Sequence, residues 1–437
     1  MKIVYLAAGA GGMYCGACLH DNTLAAALLR TGQDVLLVPT YTPLRTDEID
    51  VSQRRMFFGG VNVFLQQNTP LGFLFRHTPW KLDALLDSPR LMRFLTRKGP
   101  SVDPSKLGGL TVSMLRGEEG RQRKELEKLV HWLETEVRPD LVHLSNAILS
   151  AMAREIAGRL KVPVVCGLAG EDVFLERLTE PHYTQARELL RDRGRDVAAW
   201  VALNRYYADY MIEYMRLDPA RVHVIPHGLD LAGHGTRSHA AGNDAVSIGY
   251  FARITPDKGL HLLVDAFRLL CQDASLPPLR LRAAGYLAGE DEPYLAGLKK
   301  KLADWGLSDR FSYEGEPDRA GKIAFLQSLD LMSLPTVYRE SKGLSVLEAM
   351  VNAVPVVLPA HGAFPELIAD TGGGVLHAPD DPAELAAALK PLLLDRQAAA
   401  EMGLRGQQAV RDRYNAPVMA ARTMELYESL LHRGADL

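Results

Sequence analysis

No apolar run in this chain reaches the roughly 18 residues that a membrane-spanning helix needs. The formal net charge of -3 gives no reason to expect a nucleic-acid partner, whose backbone calls for a basic surface. Only four cysteines occur in 437 residues, which excludes a disulfide scaffold. Hydrophobic residues make up 47% of the chain, and Met1 to Leu6 is typical of a strand rather than a signal peptide. We therefore expect a folded, soluble, cytoplasmic protein.

Several phosphate-binding motifs are also missing. There is no GxxxxGK[ST] segment, which excludes a P-loop, and no Asp-x-Asp triplet to hold a magnesium bridge. A loop at Gly9, Gly11 and Gly12 follows the first strand, but Tyr14 stands where a dinucleotide-binding loop needs its third glycine. This loop is better suited to a close approach of substrate to the backbone. We expect neither a metal nor a cofactor.

Two groups of side chains leave alternatives open. Cys15 and Cys18 form a CxxC at a strand-to-helix turn, where they are either a redox dithiol or small residues that line a tight turn. His227, His234 and His239 have no regular ligand spacing, so they are hinge and surface residues rather than a metal site.

Strands and helices alternate from the first residue, and a second strand-loop-helix opening begins at Val246. This order predicts two Rossmann-like, doubly wound parallel-sheet α/β domains that face each other across a cleft. We place the N-terminal domain at 1–228 and the C-terminal domain at 229–416, with the last helix, about 417–437, packed back on the first domain. The predicted strands are 2–7, 34–38, 140–144, 162–168, 199–203, 246–251, 279–283, 310–313, 330–334, 354–358 and 374–376.

Residues 42–125 are the least regular part of the chain. Within them, 54–98 interleave basic and aromatic side chains. Such a segment is suited either to a membrane surface or anionic acceptor or to packing on its own domain. The first alternative implies peripheral contact with the inner membrane surface.

The run from Glu340 to Glu348 sets two carboxylates around Gly343. An apolar strand at 329–334 precedes it, and a helix is predicted at 344–353, so Gly343 lies at the strand-to-helix turn. At about 1.5 Å per residue the two carboxylates would lie roughly 10 Å apart. Such a pair could bind hydroxyl groups on both sides of a diphosphate.

Two cations precede this run in the same half of the chain. Arg253 and Lys258 follow the strand that begins at Val246, so they lie at the carboxyl edge of the sheet where open α/β folds bind ligands. There they could stabilise the charge of a leaving diphosphate. The alternative is that both are charged residues of a surface loop, with no role in binding.

The chain resembles the retaining family 4 glycosyltransferases in four site residues: Glu340, Glu348, Arg253 and Lys258. Gly11-Gly12, the junction at 224–230 and Pro365-Glu366 extend this resemblance over most of the chain. It implies the glycosyltransferase B fold and a nucleoside diphosphate sugar as donor. Glu340 would hold the sugar hydroxyls, Glu348 the ribose, and the two cations the diphosphate. The remaining donor-binding candidates are Gly343, Leu344, Ser345, Gly11, Gly12, Glu314 and Gly315.

The sequence departs from that family in three segments, at four positions. Ser341-Lys342-Gly343 replaces Gly-Phe-Gly, and His227 stands where asparagine is common. Ala169 occupies the position of a histidine that contacts the sugar, so no catalytic histidine can be assigned there. Asp172 is then the first candidate on the acceptor side, followed by Glu171 and Asn146. Asp172 and Asn146 could equally be helix N-caps.

The sequence thus predicts a retaining glycosyltransferase that moves a sugar to an acceptor hydroxyl of a carbohydrate, lipid or small molecule. Two alternatives remain. A nucleotide-sugar epimerase of the same fold would turn over its substrate without an acceptor, and a nonenzymatic two-domain sugar-binding protein would bind sugar without nucleotide.

Overall fold

The computed structural model describes residues 1–9, 16–53, 55, 57, 104–235 and 245–435. Its chain divides into two compact units. One comprises Met1–Leu203, Tyr207–Ile225 and Ala420–Leu437, and the other comprises Asn204–Tyr206 and Pro226–Met419. Each unit is built on its own parallel sheet, as the alternating strand and helix pattern predicts.

The first unit has a six-stranded sheet in the order β2-β1-β3-β4-β5-β6. Its strands are β1 (Lys2–Ala7), β2 (Asp34–Pro39), β3 (Leu141–Leu144), β4 (Val164–Leu168), β5 (Ala199–Ala202) and β6 (Val222–Val224). Its helices are α1 (Gly16–Arg30), α2 (Pro104–Leu115), α3 (Arg123–Trp132), α4 (Ala153–Leu160), α5 (Asp172–Leu175), α6 (His182–Arg193) and α7 (Arg205–Met215). Helices on both faces bury the sheet, which explains why its central strands are apolar runs.

The second unit repeats this architecture in the order β12-β11-β10-β7-β8-β9. Its strands are β7 (Val246–Phe251), β8 (Leu279–Ala284), β9 (Phe311–Tyr313), β10 (Leu331–Ser333), β11 (Val356–Pro359) and β12 (Gly374–His377). Its helices are α8 (Leu260–Cys271), α9 (Glu292–Asp304), α10 (Arg319–Gln327), α11 (Leu344–Met350), α12 (Phe364–Thr371), α13 (Pro382–Leu394) and α14 (Arg396–Arg413), and α15 (Ala416–Ala435) completes the chain.

Two sequence-based expectations about these elements are wrong. The helix predicted at 344–353 ends at Met350, because Ala353 has φ 59° and cannot continue a right-handed helix. The edge strand β6 was not predicted from the sequence. Its sequence, Val-His-Val, alternates apolar and polar residues, but three half-buried residues are too few for this alternation to predict a strand.

Candidate functional site

The second sheet reverses its strand order between β10 and β7. The strands β8 and β9 extend the sheet on one side of β7, whereas β10, β11 and β12 extend it on the other. Loops that leave the carboxyl ends of the two strands at such a switch point diverge and open a crevice for a ligand. Here those loops are 252–259 and 334–343, which contain the predicted site residues.

Lys258 and Glu340 meet at this switch point. The Nζ of Lys258 lies 2.7 Å from Oε2 of Glu340, and the same ammonium contacts the hydroxyl of Tyr338. The Tyr338 hydroxyl donates to Oε2 of Glu340 at 2.7 Å, and its ring centroid lies 4.9 Å from Nζ. Both charged side chains are largely buried, at 14% and 9% exposure. The sequence predicted the two charges as separate diphosphate and sugar contacts, but it did not predict this pair or Tyr338.

The backbone around Glu340 fixes its carboxylate. Its Oε1 accepts hydrogen bonds from the N–H groups of Ser341 and Lys342, both at 3.1 Å. Its carbonyl oxygen accepts from the N–H of Ala363 at 2.8 Å. A Cβ on Gly362 would lie 2.5 Å from that carbonyl oxygen, so only glycine allows this approach. The carboxylate is thus held from both of its oxygens before any ligand binds.

The pKa of Glu340 reflects these contacts. Burial alone would raise it, but the charge of Lys258 and the hydrogen bonds from Lys258, Tyr338 and the Lys342 backbone outweigh burial and lower it to about 2. Glu340 is therefore ionised at neutral pH, and it is suited to accept hydrogen bonds rather than to donate a proton.

This shift predicts how stability depends on pH. The folded pKa lies below the ordinary value of 4.5, so the stabilisation is complete above pH 4.5 and is lost as pH falls towards 2. Its size is roughly 3 kcal/mol. Urea unfolding between pH 5 and pH 3.5 should therefore show a shallower loss of stability in Glu340→Gln than in the wild type. Identical slopes for the two proteins would contradict the assignment.

Arg253 presents its charge differently. Its side chain is exposed, and within the described part of the chain its guanidinium makes no ion pair or hydrogen bond. Its carbonyl oxygen accepts from the Tyr250 hydroxyl at 3.0 Å, which fixes the backbone at the end of β7. Arg253 can therefore move to a ligand that carries negative charge, whereas Lys258 is already in place.

Glu348 lies in α11 and is buried at 4% exposure. Lys322 of α10 is buried at 2%, and its Nζ lies 2.5 Å from Oε1 of Glu348. Lys322 was not predicted as a site residue, although the sequence pattern of its helix contains a signal. It occupies a buried face of its helix together with Ile323, Phe325 and Leu326, where an apolar residue is expected.

The turn at Gly343 agrees with the sequence-based prediction. Gly343 has φ 68° and precedes the first residue of α11, which is seven residues long. Within the described ranges, the N–H groups of Leu344 and Ser345 have no hydrogen-bond acceptor, so both can donate to a ligand. A helix this short has a small dipole, so it contributes little positive charge at this turn.

Glu314 and Gly315 follow β9 at the same edge of the sheet. Both carboxylate oxygens of Glu314 pair with Arg282, at 2.6 and 2.9 Å. Gly315 has φ 75°, and its carbonyl accepts from the N–H of Gly285 at 2.8 Å. The Glu314 side chain is therefore engaged within the protein, and the loop offers mainly backbone groups to a ligand.

Two family models match the two halves of the chain. The model described as Glycosyltransferase Family 4 matches residues 93–232, and the model described as Glycosyl transferases group 1 matches residues 236–409. The chain belongs to the family 4 glycosyltransferases.

Individual relatives agree with this assignment. The chain is 25% identical over 323 residues to D-inositol 3-phosphate glycosyltransferase from Nocardia farcinica, covering 69% of this chain and 66% of that protein. It is 32% identical over 194 residues to a lipopolysaccharide core biosynthesis mannosyltransferase from Rhizobium meliloti, covering 42% and 52%. The chain spans 66% and 52% of the length of these two curated relatives.

Solved structures show the fold. The sucrose-phosphate synthase from Thermosynechococcus elongatus superposes with a TM-score of 0.71 at 17% identity, covering 99% of this chain and 100% of that one. Anabaena HepE, solved in complex with UDP, gives a TM-score of 0.68 at 17% identity, covering 98% and 100%. The glycosyltransferase B fold predicted from the sequence is confirmed.

The first unit contains the acceptor-side candidates. Glu171 is buried, and its two oxygens accept from the N–H groups of Ala147 and Ala169 at 2.7 and 2.8 Å. The Tyr207 hydroxyl contacts Glu171 at 3.2 Å and donates to Asp172 at 2.7 Å. Glu171 therefore ties together the loops after β3 and β4, including the backbone of Ala169.

Asp172 and Asn146 differ in what their side chains do. Oδ1 of Asn146 accepts from the N–H of Ile148 at 3.1 Å, which is the N-cap alternative foreseen from the sequence. Asp172 is not an N-cap, since Glu171 occupies that position before α5. Burial raises the pKa of Asp172 and outweighs the hydrogen bond from Tyr207, which lowers it. Of the two, Asp172 is better suited to contact an acceptor hydroxyl.

Other expectations have mixed outcomes. His227 and His234 are buried, at 4% and 9% exposure, so their description as surface residues is wrong. In the described ranges no group of three or more His, Cys, Asp or Glu could hold a metal ion. Cys18 is buried in α1, whereas Cys15, His239, Gly11 and Gly12 lie outside the described residues.

The basic and aromatic segment at 54–98 lies mostly outside the described residues. Of its members, Arg55 stacks on the rings of Phe57 and Trp132, at 5.2 and 5.0 Å. Arg55 and Phe57 therefore pack on α3 of their own unit. Among the helices that the structure describes, none is long and apolar enough to cross a bilayer.

Proposed function

We propose that this protein is a retaining glycosyltransferase, which transfers a sugar from a nucleoside diphosphate sugar to an acceptor hydroxyl. The observation that carries the proposal is the buried Lys258–Glu340 pair at the switch point of the second sheet, 2.7 Å apart. It places a fixed cation and an ionised carboxylate where a ligand is expected, with the exposed Arg253 in the same loop. A sugar diphosphate needs hydroxyl acceptors and cations side by side.

Each group has a role in the proposed reaction. The bond between the anomeric carbon and the diphosphate oxygen breaks, and Lys258 and Arg253 stabilise the charge that develops on that oxygen. Glu340 accepts hydrogen bonds from the sugar hydroxyls. The acceptor oxygen bonds to the anomeric carbon on the face that the diphosphate leaves, and its proton passes to the departing phosphate. No metal or cofactor is needed, because protein cations supply the positive charge.

The acceptor is proposed to bind the first unit near Asp172. Relatives named for transfer to D-inositol 3-phosphate and to phosphatidyl-myo-inositol support a carbohydrate, lipid or small-molecule acceptor here. A lipid acceptor would bring the protein to the inner membrane surface, with residues 54–98 in peripheral contact, and the protein itself in the cytoplasm.

A thermal-shift panel of UDP, GDP, ADP and their sugars tests the donor site. We expect one nucleotide and its sugar to raise the unfolding temperature. Glu348→Ala should weaken binding of the free nucleotide, whereas Glu340→Ala should weaken only the extra contribution of the sugar. No stabilisation of the wild type by any member of the panel would overturn the donor site.

Product analysis with the preferred donor tests the reaction. NMR of the glycoside should show the anomeric configuration of the donor, and an inverted product would contradict retention. Turnover of the donor to an epimer without acceptor would favour the epimerase alternative. Repeating the assay with anionic lipid vesicles tests peripheral contact, because a protein that acts on lipid should sediment with the vesicles.

A further inference from the structure

The buried ion pair between Lys322 and Glu348 has no explanation in the fold alone. Its side chains are 2% and 5% exposed, and the Nζ–Oε1 distance is 2.5 Å. Lysine is among the residues least often buried, because its ammonium loses hydration that a single partner rarely restores. Replacing such a pair with apolar residues of similar size is often neutral or stabilising. A contribution to stability therefore does not by itself account for this pair.

The surrounding contacts also hold Glu348 in place. The amide nitrogen of Asn352 donates to the carbonyl oxygen of Glu348 at 2.8 Å and contacts Nδ1 of His234 at 2.9 Å. Its amide oxygen accepts from Gly235 N–H at 3.1 Å and from Nε2 of Gln327 at 3.2 Å. Both the backbone and the carboxylate of Glu348 are thus positioned by groups outside α11.

We infer that Lys322 is a positioning residue for nucleotide recognition: it holds the Glu348 carboxylate in the orientation that accepts hydrogen bonds from the ribose diol of the donor. This inference rests on the proposed function, which assigns the ribose to Glu348. Lys322 itself does not touch the ligand. A carboxylate accepts strong, charge-assisted hydrogen bonds only when it is correctly oriented, so the lysine that orients it sets how strongly the diol is recognised.

The consequence is a specific coupling between Lys322 and two hydroxyl groups of the ligand. Removal of the diol from the nucleotide should cost wild-type affinity about tenfold to a hundredfold, the usual range for hydrogen bonds to a charged group. In Lys322→Met the nucleotide should bind about tenfold more weakly. Its 2′,3′-dideoxy form should bind Lys322→Met and wild type equally, because the hydroxyls that Glu348 holds are absent from it.

Isothermal titration with UDP, GDP, ADP and their 2′,3′-dideoxy forms measures this coupling. A Lys322→Met protein that weakens both forms equally would overturn the inference, since a general packing defect does not distinguish the two ligands. Unchanged affinity for both forms would also overturn it. Lys390→Met is the matched control, because Lys390 pairs with Asp273 at 2.6 Å on a partly exposed surface and should leave both affinities unchanged.

Loss of one member of a buried pair can prevent folding, so a second comparison uses Glu348→Gln and the double variant Lys322→Met/Glu348→Gln. With the carboxylate already neutral, Lys322 has nothing to orient, and the two proteins should bind each nucleotide equally. Weaker binding by the double variant would overturn the inference. If the wild type binds no nucleotide, the proposed function fails, whereas wild-type binding with no coupling contradicts only the role of Lys322.

Discussion

A Lys258→Met variant is expected to lose about two to three orders of magnitude in kcat/KM with the preferred donor. Lys258 is the cation that the fold places at the switch point before any ligand arrives, 2.7 Å from Glu340. Its removal takes a positive charge from the leaving diphosphate. It also leaves the Glu340 carboxylate buried without its cation, which raises the pKa of that carboxyl group.

Steady-state kinetics with a saturating acceptor measure this loss. The double variant Lys258→Met/Glu340→Gln separates the two effects, because residues that act as a unit give losses that do not add. If kcat/KM of the double variant is no lower than that of Lys258→Met, Lys258 acts through Glu340. Lys390→Met again serves as the control for loss of a paired lysine away from the site. Full activity of Lys258→Met would contradict the proposed role.

Much of the fold could be predicted from the sequence because parallel sheets covered on both faces give unmistakable apolar runs. The strand β7 (Val246–Phe251) is buried at all six positions and was predicted with the same bounds. By contrast, β6 is three residues long and half-buried, so its Val-His-Val alternation is too short to predict a strand. The end of α11 depends on the left-handed backbone of Ala353, a conformation that no side chain at that position indicates.

The site residues also divide into those that local sequence patterns predict and those that depend on contacts between distant parts of the chain. Glu340, Lys258 and Glu348 could be identified because the sequence spacing around Gly343 and the position after β7 are local signals. The pairing of Lys258 with Glu340 could not be predicted. The two residues are separated by 82 residues, and their contact depends on β7 and β10 being neighbours. Lys322 could be predicted as a site residue only by knowing that its side of α10 faces the core. A charge in an apolar stripe is the one signal that would have revealed it.

Gly259→Ala should destabilise the second unit by at least about 3 kcal/mol and lower activity as well. Gly259 has φ 77°, and a Cβ there would lie 1.7 Å from the carbonyl oxygen of Pro335. The two backbones would have to separate, and the hydrogen bond from Val337 N–H to the Asp257 carbonyl joins the same loops. Lys258, next to this glycine, would move away from Glu340. A displacement of about 1 Å can cost a hundredfold in rate.

Gly306→Ala isolates the steric part of this effect. Gly306 has a similar φ of 70°, but no atom lies within 4 Å of a Cβ built on it. Alanine there should cost only the left-handed backbone penalty of about 1 to 2 kcal/mol and leave activity per folded molecule unchanged. Urea unfolding and kinetics of both variants test the difference. If Gly259→Ala costs no more than Gly306→Ala, the close packing of the two loops does not hold Lys258 in place.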